Sequence, residues 1–270
     1  MSELSTESLF HYTRRDKLIS ILEGRCFKPS FVLEEIDMES GVLKEVRTFL
    51  EEQKGKSSSD EVFEKLQLAL PMCCFCDIPL DKVSNHTQLY GSYSIGLKRA
   101  WVEENGISPV IYLSDRSEIK TVFNHLLCSY KRDYKRLREL KEEVGCKQKT
   151  LLFNVLITYD FILDLLMYIK PFTGRYEKNE RTYDKYRFYN EREWRYKPSK
   201  YHLDKNVLTK EEFDNKSILK YNNKKLKPIK FDFKDIDCIL VPENELEEFK
   251  SIVGQFFEGE NTSGVIKCID

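Results

Sequence analysis

The sequence predicts an α+β protein, a mixed β-sheet interrupted by a helical hairpin. Three observations carry this. Short β-rich runs of alternating character recur near both ends of the chain. Between about 115 and 170, two apolar stripes repeat at helical spacing. A late apolar run, 235–242, leads straight into an amphipathic stretch, 243–257, suited to pack upon it. With 270 residues, the chain fits a single domain over 1–270 carrying a helical insertion at about 115–170.

In order, residues 9–13 read as an apolar strand with a polar end. Thr13 is placed to cap the next helix, with Asp16 at the capping-box position. Leu18, Ile21 and Leu22 form that helix's stripe, and Gly24 suits its stop. Residues 27–31 read as extended. Residues 34–56 are charged and read as helical, with Gly41 a weak point. A polar loop at 57–60 caps a short helix that Pro71 ends at about Leu70. Residues 72–75 read as a buried strand. Tyr93, Ile95 and Leu97 alternate as in a strand, and Gly91 and Gly96 permit close backbone approach.

A helix is expected over about 98–106 and a strand over 109–113. Asp115 and Glu118 read as a capping box opening the first long helix, whose stripe runs from Ile119 to Val144. The second spans 151–169 and is stopped by Pro171 and Gly174. Residues 173–185 read as a charged loop. Residues 186–196 read as one strand. Residues 197–230 read as irregular, with a short helix after Thr209. The 235–242 strand and 243–257 helix follow, with an edge strand over 264–268.

Composition narrows the functional classes. Hydrophobic residues make up 41% and charged residues 33%, as in a globular protein with a real core. The formal charge of −1 gives no overall pull toward nucleic acid or an anionic membrane. The basic cluster Lys131, Arg132, Lys135, Arg136 and Arg138 reads as a solvated helix face, so nucleic acid is not a favoured partner. The N-terminus lacks a signal-peptide pattern. The most apolar window is broken by Asn154, Asp160 and Asp164, which argues against a membrane span. A cytoplasmic protein with reduced thiols is expected. Among the eight cysteines, Cys73, Cys74 and Cys76 lie near His86, but no second Cys-x-x-Cys pair exists, so no metal is expected. There is no Walker loop, G-x-G-x-x-G, G-x-S-x-G or H-E-x-x-H.

The chemistry-bearing stretch is 186–196. On one strand, side chains two apart share a face. Glu191, Glu193 and Arg195 then point one way, and Arg192, Trp194 and Tyr196 the other. Paired carboxylates raise each other's pKa unless a cation accommodates them, a task Arg195 is placed to perform. The pattern fits either a solvated face of mixed charge or a catalytic Glu-x-Glu strand. His11 suits a structural role or a ligand contact equally, and Tyr90 and Tyr93 suit a core.

A His-Tyr-Thr strand end, a Tyr-rich strand with glycines and a Glu-x-Glu strand, in that order, resemble the ADP-ribosyltransferase superfamily. The opening Phe10-His11-Tyr12-Thr13, Leu18, Ile21-Leu22, Gly24 and Pro29 looks like the start of its bacterial toxin branches. The resemblance implies a split mixed sheet like an ADP-ribosyltransferase core. It implies NAD as substrate and Glu193 as the carboxylate that stabilises a developing ribosyl cation, with Glu191 nearer the acceptor. It implies His11, with Tyr12 and Thr13, at the adenosine ribose, Tyr90 or Tyr93, beside Ser94, against nicotinamide, and Arg195 beside the carboxylates.

A closer resemblance covers most of the chain. Cys74-Phe75-Cys76-Asp77-Ile78-Pro79-Leu80, His86, the 90–97 run, Trp101, Pro109–Tyr112 and Glu191–Tyr196 look like the AbiGi abortive phage-resistance family. That resemblance implies phage defence, with a cognate toxin or a phage-derived protein as partner. Two activities follow as expectations. One is an NAD-dependent transferase or NAD-cleaving enzyme using Glu193. The other is a non-enzymatic antitoxin or regulator of a toxin–antitoxin pair.

Overall fold

The computed structural model describes residues 7–36, 66–79, 87, 89–123, 161, 164, 165, 167–178, 181–199 and 207–269. The 124–160 part of the expected helical hairpin lies outside the described residues, as do His86, His125 and the basic cluster at 131–138.

The main sheet is mixed. Its strand order is β15 (Ile266–Cys268), β14 (Ile236–Val241), β5 (Tyr93–Lys98), β1 (Ser8–Thr13), β4 (Leu66–Cys76), β11 (Glu193–Tyr196) and β6 (Ser108–Pro109). β14 and β15 are parallel, and the remaining pairings along this order are antiparallel. β3 (Ser30–Ile36) and β12 (Leu208–Thr209) also pair with β4.

Alternation places the core. Leu9, Ile95, Leu97, Ile239 and Val241 face one side, where they meet Leu18 and Leu22, Trp101 and Val102, and Phe249 and Val253 from three helices. Phe10, Tyr12, Cys238 and Leu240 face the other side. Gly96 makes room there, since a Cβ on it would sit 2.8 Å from the Phe10 ring. Gly91 has φ of 112°, and a Cβ there would lie 2.2 Å from the Thr13 carbonyl oxygen, so only glycine fits this turn before β5.

Several expectations need correction. Thr13 does not cap the first helix; Arg14 occupies the N-cap, and its side chain makes no capping hydrogen bond. The helix runs through Gly24, and Arg25 takes the left-handed conformation (φ 46°) that ends it. Arg25 is held by its guanidinium, which donates to the Phe256 carbonyl at 2.7 Å and lies over the Phe257 ring. Residues 34–36 belong to β3, not a helix.

Residues 66–70 are strand as well, because β4 continues through Pro71. Pro71 falls between the part of β4 paired with β11 and the part paired with β12, where a missing N–H breaks no ladder on that edge. The helix expected to open at Asp115 is capped instead by Ser117, whose Oγ accepts from the Lys120 amide, while Asp115 pairs with Lys120 Nζ.

Ile169 to Pro171 form β8, parallel to β7 (Ile111–Leu113), rather than a helix end. The expected 173–185 loop is a hairpin of β9 (Gly174–Lys178) and β10 (Arg181–Tyr186). Thr209 does open a short helix, through a full capping box with Glu212. Among the described residues no helix is long and apolar enough to cross a membrane.

The most consequential correction concerns 186–196, which is not one strand. Phe188 to Glu191 form a 3₁₀ turn, and Arg192 adopts φ of 42° before β11 begins. The left-handed residue interrupts the strand there. Glu191 and Glu193 still point into the same space, but a turn places the first and a strand the second.

Candidate functional site

β1 and β4 meet at a single pair, Phe10 and Cys76, and then part. Further along β4, the same edge is taken up by β3, from Met72 onward. A cavity of about 280 Å³ lies at this split, and its lining includes His11, Cys74, Tyr90, Lys170, Glu191 and Glu193. His11 bridges the gap, with Nδ1 2.7 Å from the Cys74 carbonyl. A carbonyl only accepts, so Nδ1 carries the proton. The ring also packs on Phe27 and Phe75. Burial lowers the pKa of His11, and the bond to Cys74 offsets only part of that, so the imidazole is neutral with Nε2 as its acceptor.

A charged cluster forms the wall opposite. Lys170 on β8 donates to Glu191 Oε2 at 2.6 Å and to Glu193 Oε2 at 2.8 Å. Arg195 is fully buried. It grips Glu193 through Nε at 2.7 Å and Nη2 at 3.2 Å, pairs with Glu34 at 3.1 Å, and donates Nη1 to the Met167 carbonyl at 2.6 Å. Tyr90 donates to Glu191 Oε1 at 2.8 Å and neighbours the Tyr176 hydroxyl at 3.3 Å. The Tyr112 hydroxyl accepts from the Glu193 amide at 2.8 Å.

Three carboxylates thus face two cations. Burial alone would raise the pKa of Glu193, but Arg195 and Lys170 outweigh it and hold the carboxyl well below its ordinary value. Burial likewise acts to lower Lys170, and Glu193 and Glu191 reverse that, so it stays charged. Burial first, and then Glu191, push the Tyr90 phenol far upward, so it is a donor and not an anion.

Of the residues singled out from sequence, His11, Tyr12, Tyr90, Glu191 and Glu193 line the cavity. Arg195 stands behind it. Tyr93 does not reach it. Its ring packs on Phe249 and its hydroxyl bonds Glu245, on the helical side of the sheet. β5 carries Tyr93 past the far edge of β1, opposite Thr13, so neither enters the cleft. Ser94 is fully buried between Tyr12 and Leu240, and its hydroxyl has no hydrogen-bond partner among the described residues. Lys170 has no local motif in the sequence, where its segment reads as the end of the 151–169 helix. Cys73, Cys74 and Cys76 do lie on a strand, Cys73 and Cys76 buried and Cys74 half-buried, with burial raising each thiol pKa. Among the described residues, no group of three or more His, Cys, Asp or Glu is placed to hold a metal.

Both depressed groups bind fewer protons when folded, so both make the fold acid-sensitive. The His11 contribution is complete above its ordinary value of 6.5 and is lost as pH falls below that. The Glu193 contribution is complete above 4.5 and is lost as pH falls toward its lower folded value. The melting temperature is expected to fall on acidification, with the steeper loss below 4.5 and a shallower one there in Glu193→Gln. A melting temperature unchanged down to that value and equal slopes below it would contradict this assignment.

The family model described as "Putative abortive phage resistance protein AbiGi, antitoxin" matches residues 40–242. That span contains Tyr90, Lys170, Glu191, Glu193 and Arg195. An abortive phage resistance protein AbiGi from Lactococcus lactis subsp. cremoris is 32% identical over 143 residues, 48% of this chain and 51% of that protein. The match therefore spans about half the length of that relative. No solved structure matches the chain.

Proposed function

The chain belongs to the AbiGi abortive phage-resistance family, and from that premise we propose that it is the antitoxin-side member of a two-component abortive-infection system whose split-sheet cleft binds a nucleotide without consuming it. The partner is a cognate toxin. The carrying observation is the state of Glu193. Three N–H donors from Arg195 and Lys170 already occupy its oxygens. A carboxylate offers about four acceptor sites, which leaves at most one for a ligand hydroxyl, in competition with the Cys74 thiol that also bonds Glu193. Its oxygens are already engaged by Arg195 and Lys170, so it is less available to stabilise a developing sugar cation.

The size of the cleft agrees with a partial fit. At about 280 Å³ it is at the lower end of small-molecule pockets, which run about 300–1,000 Å³. It has room for one nucleoside end of NAD rather than the whole dinucleotide. His11 Nε2 and Glu193 Oε1 would accept from ribose hydroxyls, and the Tyr90 ring would cover a base.

The second reading is NAD turnover, with Glu193 as the catalytic carboxylate and Glu191 toward the acceptor, in a split sheet of ADP-ribosyltransferase type. It is favoured by the convergence of His11, Tyr90, Glu191 and Glu193, which are far apart in sequence, on one cavity. Titrating NAD, ADP-ribose and nicotinamide against the purified protein by calorimetry, with nicotinamide release followed by chromatography, separates the two. Saturable binding without release is expected. Release above the no-protein control would transfer the assignment to turnover, and absence of binding by all three would remove the nucleotide.

A further inference from the structure

The Phe188–Glu191 turn sends Glu191 into the cleft and Tyr189 outward into a second, open cavity of about 690 Å³. Its walls include Tyr183, Lys185, Tyr186, Arg187, Tyr189 and Arg192. Among the described residues the one carboxylate in its lining is Asp184. A register shift in β10 between Tyr183 and Tyr186 brings both rings to one face, 5.7 Å apart. Lys185 is exposed between them.

Tyr189 is 48% exposed, unusual for a large aromatic, yet its ring is held in place. It stacks on Phe172 at 5.1 Å with the planes 24° apart, and Tyr112 meets it edge-on. Arg187 covers the Phe172 ring at 5.9 Å. Among the described residues neither Lys185 nor Arg187 has a carboxylate partner.

We infer that this groove binds single-stranded nucleic acid. Cations interleaved with rigid tyrosines within ten residues supply the two components such binding needs, a backbone-tracking charge and faces for unpaired bases. Bases in a duplex are already stacked and cannot use those faces. The chain's overall charge of −1 means that this local patch, not the whole surface, must do the attracting. Tyr186 also bonds Glu191 of the split-sheet cleft, whereas Lys185, Arg187 and Tyr189 are not among that cleft's lining residues, and the test rests on these three.

The test is fluorescence anisotropy of the full chain with labelled oligomers of about twelve nucleotides, in three arms: oligo-dT, oligo-U and a duplex. Both single strands should bind better than the duplex, and the tighter of the two names DNA or RNA as the source. Neutralising roughly three phosphates predicts a slope of about −2 for log affinity against log salt. Tyr189→Ala should weaken binding on the order of tenfold through lost stacking. The surface pair Lys185→Ala with Arg187→Ala should weaken binding and flatten the salt slope, with the melting temperature unchanged. No binding at low salt overturns the inference. So does binding that survives both variants, or binding of polyglutamate as tight as that of the oligomers, which would make the groove a site for acidic proteins.

Discussion

Arg195→Met is expected to lower the free energy of unfolding by about 3–5 kcal/mol, the usual result of stripping one partner from a buried ion pair. Arg195 is fully buried, and three different segments rely on it: Glu193 on its own strand, Glu34 on β3 and the Met167 carbonyl before β8. Methionine fills much of the space but supplies none of the four donors used. Glu193 keeps Lys170 afterwards, whereas Glu34 loses its pairing with Arg195. Arg195→Lys should fall between, since an ammonium restores charge but not the fork that reaches all three partners. Lys197 offers the contrast. It pairs with Asp164 at 2.7 Å near the surface, and Lys197→Met should cost at most about 1 kcal/mol. Urea denaturation of the variants measures these differences. A loss below that of Lys197→Met would show that the cluster is not what fastens β11 to β3 and β8.

Glu193→Gln is expected to weaken nucleotide binding about tenfold to a hundredfold, because a hydrogen bond to a charged group contributes about 1.5–3 kcal/mol. It should also destabilise the fold, contrary to what an isolated strand carboxylate would suggest. An amide accepts through one oxygen only, and Arg195 and Lys170 lose a shared counter-charge. Glu191→Gln should affect binding less. Tyr90 and Lys170 each hold one of its oxygens, and an amide can keep the Tyr90 bond. Calorimetry with NAD, read beside thermal melts, separates loss of binding from loss of fold. Equal affinity in wild type and a folded Glu193→Gln would take Glu193 out of the ligand's reach. If instead the wild type releases nicotinamide and Glu193→Gln does so about a hundredfold more slowly, Glu193 is a catalytic group and the turnover reading stands.

The α+β class, the β1, β5 and β14 strands, the helix that packs on β14 and the shared face of Glu193 and Arg195 are legible in the residue pattern. Each rests on a period of two or of 3.6 that one buried face imposes on neighbouring residues. The tertiary structure alone decided the rest. β4 runs through Pro71 because the neighbouring strands leave that edge unpaired, and nothing local records this. The hairpin at 174–186 is too polar and too rich in tyrosine to show a buried face, since its rings pack largely on one another. Arg192 holds a left-handed conformation that sequence favours in glycine, and it keeps Glu191 beside Glu193 where a straight strand would have done so by alternation. Tyr90 enters the cleft and Tyr93 does not, although only two residues lie between them, because the Gly91 turn separates their directions. Lys170 completes the cluster from a segment read as the end of a helix. A lone lysine carries no pattern in the chain, and its role arises only when two carboxylates from a distant turn and strand are packed against it, out of water.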